Sequence, residues 1–143
     1  MATFLARIHI HPGREAEFER IAAELHRRTH EREAGVRRYE YWRGAEPSTY
    51  YALASFDSFD AFLVHQSSDH HELAAPSLRD VTASMHLEWL DPVPDACDAV
   101  PSAAGPLPDG ASELATTYHA RFGRDVVAGW WPDRPRPSDP LPD

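Results

Sequence analysis

Asp57-Ser58-Phe59-Asp60-Ala61-Phe62-Leu63-Val64-His65-Gln66-Ser67-Ser68-Asp69-His70-His71 is the stretch on which the reading of this chain turns. Asp57 or Ser58 can accept the free amides of a first helical turn, and Phe59, Phe62, Leu63 and Gln66 recur at the spacing of one helical face. His65 falls on the flank of that face, one turn after Ala61 and Phe62. A second capping signal, Ser67-Ser68-Asp69, restarts the chain before His70, so the two imidazoles are expected near one bend.

Upstream, residues 3 to 11 alternate, with Phe4, Ala6, Ile8 and Ile10 on one side and Leu5, Arg7, His9 and His11 on the other, as in a strand with one dry face. Pro12-Gly13 ends it. A helix follows, with Glu15, Glu17 and Glu19 early and Arg27, Arg28 and Arg32 late, both in the sense the helix dipole favours. Phe18, Ile21, Ala22 and Leu25 form its buried stripe, and Gly35 is the expected stop. Val36 to Arg43 and Thr49 to Phe56 read as two strands joined by a turn at Gly44 to Ser48. Beyond the central stretch a break is expected near Pro76. Val81 to Leu90 then reads as a fourth strand, with Val81, Ala83, Met85, Leu87 and Trp89 sharing a face.

Strand, helix, strand, strand, helix, strand is the order of the split βαβ, ferredoxin-like arrangement, so an α+β fold with a four-stranded antiparallel sheet is predicted. Two helices cover one face of such a sheet. The other face, with Arg7, His9, His86 and Glu88 among apolar neighbours, is expected to pair with a second copy of the chain, giving a homodimer.

Residues 1–92 form the predicted barrel domain, and the character changes after them: 10 of the 13 prolines fall from Pro92 onward. Residues 93–143 read as a Pro-rich linker with little to bury, then one amphipathic helix carrying Leu114, Tyr118, Phe122, Val126 and Trp130, with Ser112 as its cap and Trp130-Trp131 as anchors. That stripe needs a surface to dock on. Pro132 to Asp143 is expected to be disordered or wrapped along a surface.

The whole chain has 143 residues, 14 basic side chains, all arginine, against 23 acidic ones, and a net charge of −9. It offers no electrostatic footprint for nucleic acid or for an anionic membrane surface. No apolar run reaches the ~20 residues of a membrane span, no signal peptide is visible, and the lone Cys97 can form no intrachain disulfide. A cytoplasmic protein is expected.

Four pieces in order resemble the antibiotic biosynthesis monooxygenase superfamily: His11-Pro12-Gly13 before Glu15-Ala16-Glu17-Phe18; Glu33-Ala34-Gly35-Val36 leading to Tyr39; Phe56-Asp57-Ser58 with Asp60-Ala61-Phe62; and His65 followed by Ser68-Asp69-His70. The resemblance spans roughly residues 3 to 92. It implies a dimeric α+β barrel and a cofactor-independent oxidation of a phenol, quinol or anthrone by O₂. Phe56 and Phe62 stand where the anthrone-type members commonly carry Trp and Tyr, so hydrogen bonding to a substrate oxygen must come from elsewhere. In a haem-degrading branch, an Asn and the iron-ligating His occupy positions matching Ala6 and Ala75, which argues against haem chemistry.

Such an oxygenase needs a base working near neutral pH, a dry aromatic pocket and a donor for the developing oxyanion. His65 is the expected base, and His70 its partner or the donor. Phe4, Phe56, Phe62, Met85 and Trp89, with Tyr39 and Tyr51 from the hairpin, are the expected substrate contacts. Alternation sets Tyr39 and Tyr41 opposite Trp42 but leaves open which face meets the helices. His9, His11 and His86 have spacing that can bind a metal but no accompanying carboxylate, so no metal is expected, and the resemblance implies no cofactor. His26, His30, His71 and His119 read as solvated helix residues. The alternative reading is a non-catalytic ligand- or partner-binding barrel, or an isomerase or cyclase. An enclosed cavity reached by His65, as against a space filled by Phe62, Met85 and Trp89, separates chemistry from a binding or structural role.

Overall fold

The computed structural model describes residues 1–93 and 95–123. The elements run β1 (Ala2–Ile10), α1 (Glu15–Arg32), β2 (Val36–Arg43), β3 (Thr49–Phe56), α2 (Phe59–Gln66), α3 (Asp69–Val81), β4 (Thr82–Trp89) and α4 (Glu113–Phe122). The strands form one sheet in the order β2-β3-β1-β4 with every neighbouring pair antiparallel, which is the predicted ferredoxin-like α+β arrangement.

Register places the two faces. Phe4, Ala6 and Ile8 oppose Ala54, Ala52 and Tyr50 on β3 and Trp89, Leu87 and Met85 on β4, and Tyr39 and Tyr41 oppose Ala54 and Ala52. These side chains share the face that the helices cover. Phe18, Ile21, Ala22 and Leu25 of α1 close over it, all buried as the stripe predicts. A side chain the size of Phe or Leu contributes ~1.5–3 kcal/mol when fully buried, so this layer supplies the main drive to fold. Ala6, Ala52 and Ala54 are too small to fill the layer at mid-sheet, and the first two line a hollow there.

Ser58 caps α2 by accepting from the Ala61 amide at 3.1 Å. The restart at Ser68 is real: its hydroxyl caps α3 and also donates to the His65 carbonyl at 2.8 Å, tying the two helices at one bend.

Several expectations are corrected. No break occurs at Pro76: α3 runs through it to Val81. Pro76 is exposed, so water can satisfy the Glu72 carbonyl that it leaves without an intrahelical donor. β4 begins at Thr82, and an irregularity at His9/Ile10 pairs Thr82 with Ile10, taking Val81 and Ala83 out of the expected alternation. Gly35 is not the helix stop. α1 ends at Glu33, which is extended, and Gly35 instead lets α2 approach, since a Cβ there would meet the Ala61 Cβ at 2.6 Å.

The linker buries more than expected. The Ser102 hydroxyl accepts from the Thr3 amide at 3.0 Å and donates to the Leu90 carbonyl at 2.8 Å, locking the linker against β1 and the end of β4. Helix α4, capped by Ser112, packs on α2 with Phe122 edge-on to Phe62, and the Trp89 indole donates to the Phe122 carbonyl at 3.2 Å. Val126, Trp130, Trp131 and Pro132 to Asp143 lie outside the described residues.

Candidate active site

The hollow between the sheet and the helices is a cavity of about 310 Å³, floored by Phe4, Ala6, Ile8 and Ala52 and walled by Tyr39, Tyr41, His65 and His71. Leu78 and Arg79 of α3, Met85 and Leu87 of β4, and Tyr118, Arg121 and Phe122 of α4 form its remaining sides. The C-terminal helix therefore completes the cavity.

His65, only 1% exposed, reaches this space from the last turn of α2. Its Nδ1 lies 3.0 and 3.1 Å from the two carboxylate oxygens of Glu33, whose side chain is 6% exposed. A carboxylate only accepts, so Nδ1 carries the hydrogen of this contact, and in the neutral ring Nε2 is the nitrogen with the lone pair. Glu33 does not line the cavity, and the arrangement leaves Nε2 for it. His70 lies behind: its Nε2 is 2.7 Å from the same Glu33 oxygen and 3.3 Å from the hydroxyls of Thr29 and Ser68. His70 is absent from the cavity wall and braces the carboxylate.

Glu33, His65 and His70 each offer one ligand atom within 4.8 Å of one another, the one such group among the described residues. Two imidazoles and a carboxylate suit a divalent transition metal. Ligands ~2.0–2.1 Å from a tetrahedral zinc stand about 3.3 Å apart. The 2.7 and 3.0 Å separations found here are tighter, as for an imidazole–carboxylate network holding protons. His9, His11 and His86 form no such group. His9 Nδ1 contacts the Thr49 hydroxyl at 3.1 Å, and His86 faces Glu88 at 3.5 Å.

Two histidines read as solvated are not. His71 lines the cavity with its ring 5.1 Å from that of His65, and its buried Nδ1 has no hydrogen-bond partner. Burial first, and the neighbouring His65 next, push its pKa down to about 4, so it is neutral at physiological pH. His119 contacts the Gly105 carbonyl through Nε2 at 2.9 Å and fixes α4 to its linker.

The Tyr39 and Tyr41 hydroxyls lie 2.9 Å apart, and the Tyr39 ring packs 4.6 Å from His65. Burial raises the Tyr39 phenol well above its usual range and Tyr41 to about 12, so both remain protonated donors. One proton is used between them and the other is left for the cavity. This pair supplies the polar handle that Phe56 and Phe62 lack.

Of the expected substrate contacts, Phe4, Tyr39 and Met85 line the cavity, with Met85 53% exposed at its edge. Phe56, Phe62 and Trp89 do not. Phe62 sits at the centre of an aromatic cluster, with ring centroids 5.7 Å from Phe56, 5.8 Å from Phe4 and 5.1 Å from Trp89. Tyr51 is a correction: it pairs with Arg7 and Trp42 on the uncovered sheet face, and Tyr50 is the neighbour that turns inward. Sequence reasoning missed Glu33, Tyr41, His71, Tyr118 and Arg121 as site residues. Glu33 stood in a quoted motif, and its place just past an amphipathic helix was the available signal.

A four-stranded ferredoxin-like sheet with a ligand-sized cavity between its helices and its inner face is an α+β fold consistent with a small-molecule-binding protein. The model of the antibiotic biosynthesis monooxygenase family matches residues 1–76, over half of the sequence, and the chain belongs to that family. A structure from Caulobacter crescentus CB15, assigned to the antibiotic biosynthesis monooxygenases, is 26% identical, with 64% of this chain and 89% of that one covered and a TM-score of 0.62. Rv0793 from Mycobacterium tuberculosis shares the fold at 18% identity, covering 67% of this chain and 98% of its own, with a TM-score of 0.60. PA3566 from Pseudomonas aeruginosa does so at 19% identity, covering 64% and 93%, with a TM-score of 0.59. No curated protein matches the sequence. No helix among the described residues is long and apolar enough to cross a membrane.

Proposed function

We propose that this chain is a cofactor-independent monooxygenase of a planar phenolic, quinol or anthrone-type small molecule, with His65 as the base. The observation that carries this reading is the Glu33–His65 pair, which sets a correctly tautomerised imidazole at an aromatic cavity. Nε2 of His65 takes the acidic substrate proton, and buried Glu33 stabilises the imidazolium that results. The Tyr39–Tyr41 pair donates to the developing oxyanion. For an anthrone, the electron-rich anion forms a carbon–oxygen bond to O₂, and the peroxide takes the proton back from His65. Loss of water from that hydroperoxide leaves the ketone, so one oxygen atom enters the product and the other leaves in water.

A homodimer belongs to this reading. Leu5, Tyr51 and Leu53 on the uncovered sheet face, with Trp42 58% exposed beside them, support pairing with a second copy. The deciding experiment is oxygen uptake with anthrones and hydroquinones, without added metal or flavin, for the wild type and His65→Ala. Uptake above the spontaneous rate that collapses in the variant is expected. Tight binding of the same compounds without uptake would replace the oxygenase by a binding protein or a non-oxidative enzyme.

A further inference from the structure

Two arginines at the cavity carry no ion pair among the described residues. Arg7, Arg14, Arg37 and Arg43 each hold a carboxylate across the fold. Arg79, from the last turn of α3, and Arg121, from the last turn of α4, hold none among the described residues, although both line the cavity and both are exposed. The guanidinium carbon of Arg121 lies 5.1 Å over the Phe122 ring, a cation–π contact. Tyr118 stands on the same wall and donates to Glu72 at 2.5 Å, and Glu72, Arg121 and Arg79 all lie near enough to act on its phenol. No aspartate or glutamate lines the cavity itself.

Two exposed guanidinium groups without an ion pair among the described residues border one apolar cavity, and their positive potential favours an anionic group on a ligand there. We propose that the ligand is an aromatic acid, its phenolic ring against Tyr39 and His65 and its carboxylate held at the mouth by Arg79 and Arg121. The planar fork of arginine matches a carboxylate. A cavity of about 310 Å³ lies at the small end of ligand sites, which suits a core of two or three rings. Arg121 comes from the C-terminal extension beyond residue 92, so the extension adds one of the two arginines to the cavity. The proposal rests on reading this cavity as the substrate site.

The test uses a matched pair of probes, 2-naphthol and 6-hydroxy-2-naphthoic acid, titrated into the full chain by calorimetry at low and high salt. The acid is expected to bind about tenfold tighter at low salt, with the advantage shrinking as salt is raised. In the Arg79→Gln/Arg121→Gln variant the acid's advantage over 2-naphthol should vanish, and a thermal melt like that of the wild type shows that the variant is folded. Equal binding of both probes by the wild type, or a preference that survives in the variant, overturns the acid proposal and leaves the cavity reading intact. Binding of neither probe by the wild type overturns the cavity reading and the proposal with it.

Discussion

Nδ1 of His65 lies 3.0 Å from the nearer carboxylate oxygen of Glu33, although the two residues are 32 positions apart and both are nearly inaccessible. Helix α1 ends at Glu33 in an extended conformation that turns the side chain under the α2–α3 bend, where it meets His65 and His70 together. The contact fixes the imidazole's orientation and the location of its proton.

Glu33→Gln keeps the size of the side chain and removes its charge. If His65 is the base, kcat for oxygen uptake should fall by about 10²-fold with KM little changed, because the imidazolium formed in the reaction loses its counter-charge while the cavity wall is untouched. A loss carried by KM instead would place Glu33 in substrate binding.

His71 predicts an acid-sensitive stability. Its pKa in the folded chain, about 4, lies below the ordinary 6.5, so on acidification the unfolded chain takes up the proton first. Its contribution is fully present above pH 6.5, is lost as the pH falls toward 4, and levels off below that. The total is about 3 kcal/mol at most. Thermal melts of His71→Asn should fall less than those of the wild type across this window, and parallel slopes would show that His71 does not titrate in this way.

Gly35→Ala tests the seat of α2. The added methyl would meet the backbone-rigid Ala61 Cβ at 2.6 Å, pushing α2, and His65 with it, away from Glu33. Destabilisation of about 1–3 kcal/mol by urea unfolding is expected, with a larger fractional loss of activity than of bound ligand. The double variant Gly35→Ala/Ala61→Gly should recover most of both.

A network built on protons should need no metal and should be harmed by one. Dialysis against a chelator is expected to leave oxygen uptake unchanged, whereas added zinc should inhibit by drawing Glu33, His65 and His70 into coordination. In Glu33→Gln the zinc sensitivity of the residual activity should be weaker. Loss of activity on chelation, restored by one divalent ion, would make the three residues a metal centre.

The sequence by itself determined the elements and their order. Alternation in β1, the dipole-matched α1 and the Ser58 and Ser68 caps are local signals carried by neighbouring residues, and local signals specify helices and strands. It also placed His65 and His70 at one bend. Only the tertiary structure decided which residues share a site. Register turned Tyr39 and Tyr41 inward and Tyr51 outward, because a strand's period of two fixes the relative faces and not which one is covered. Packing carried α3 through Pro76 and put His71 beside His65. Glu33, Arg79 and Arg121 converge on the cavity and its base from three separate helix ends, a meeting set by how α1, α3 and α4 dock over a sheet whose central alanines leave room. No periodicity within any one segment records that distance.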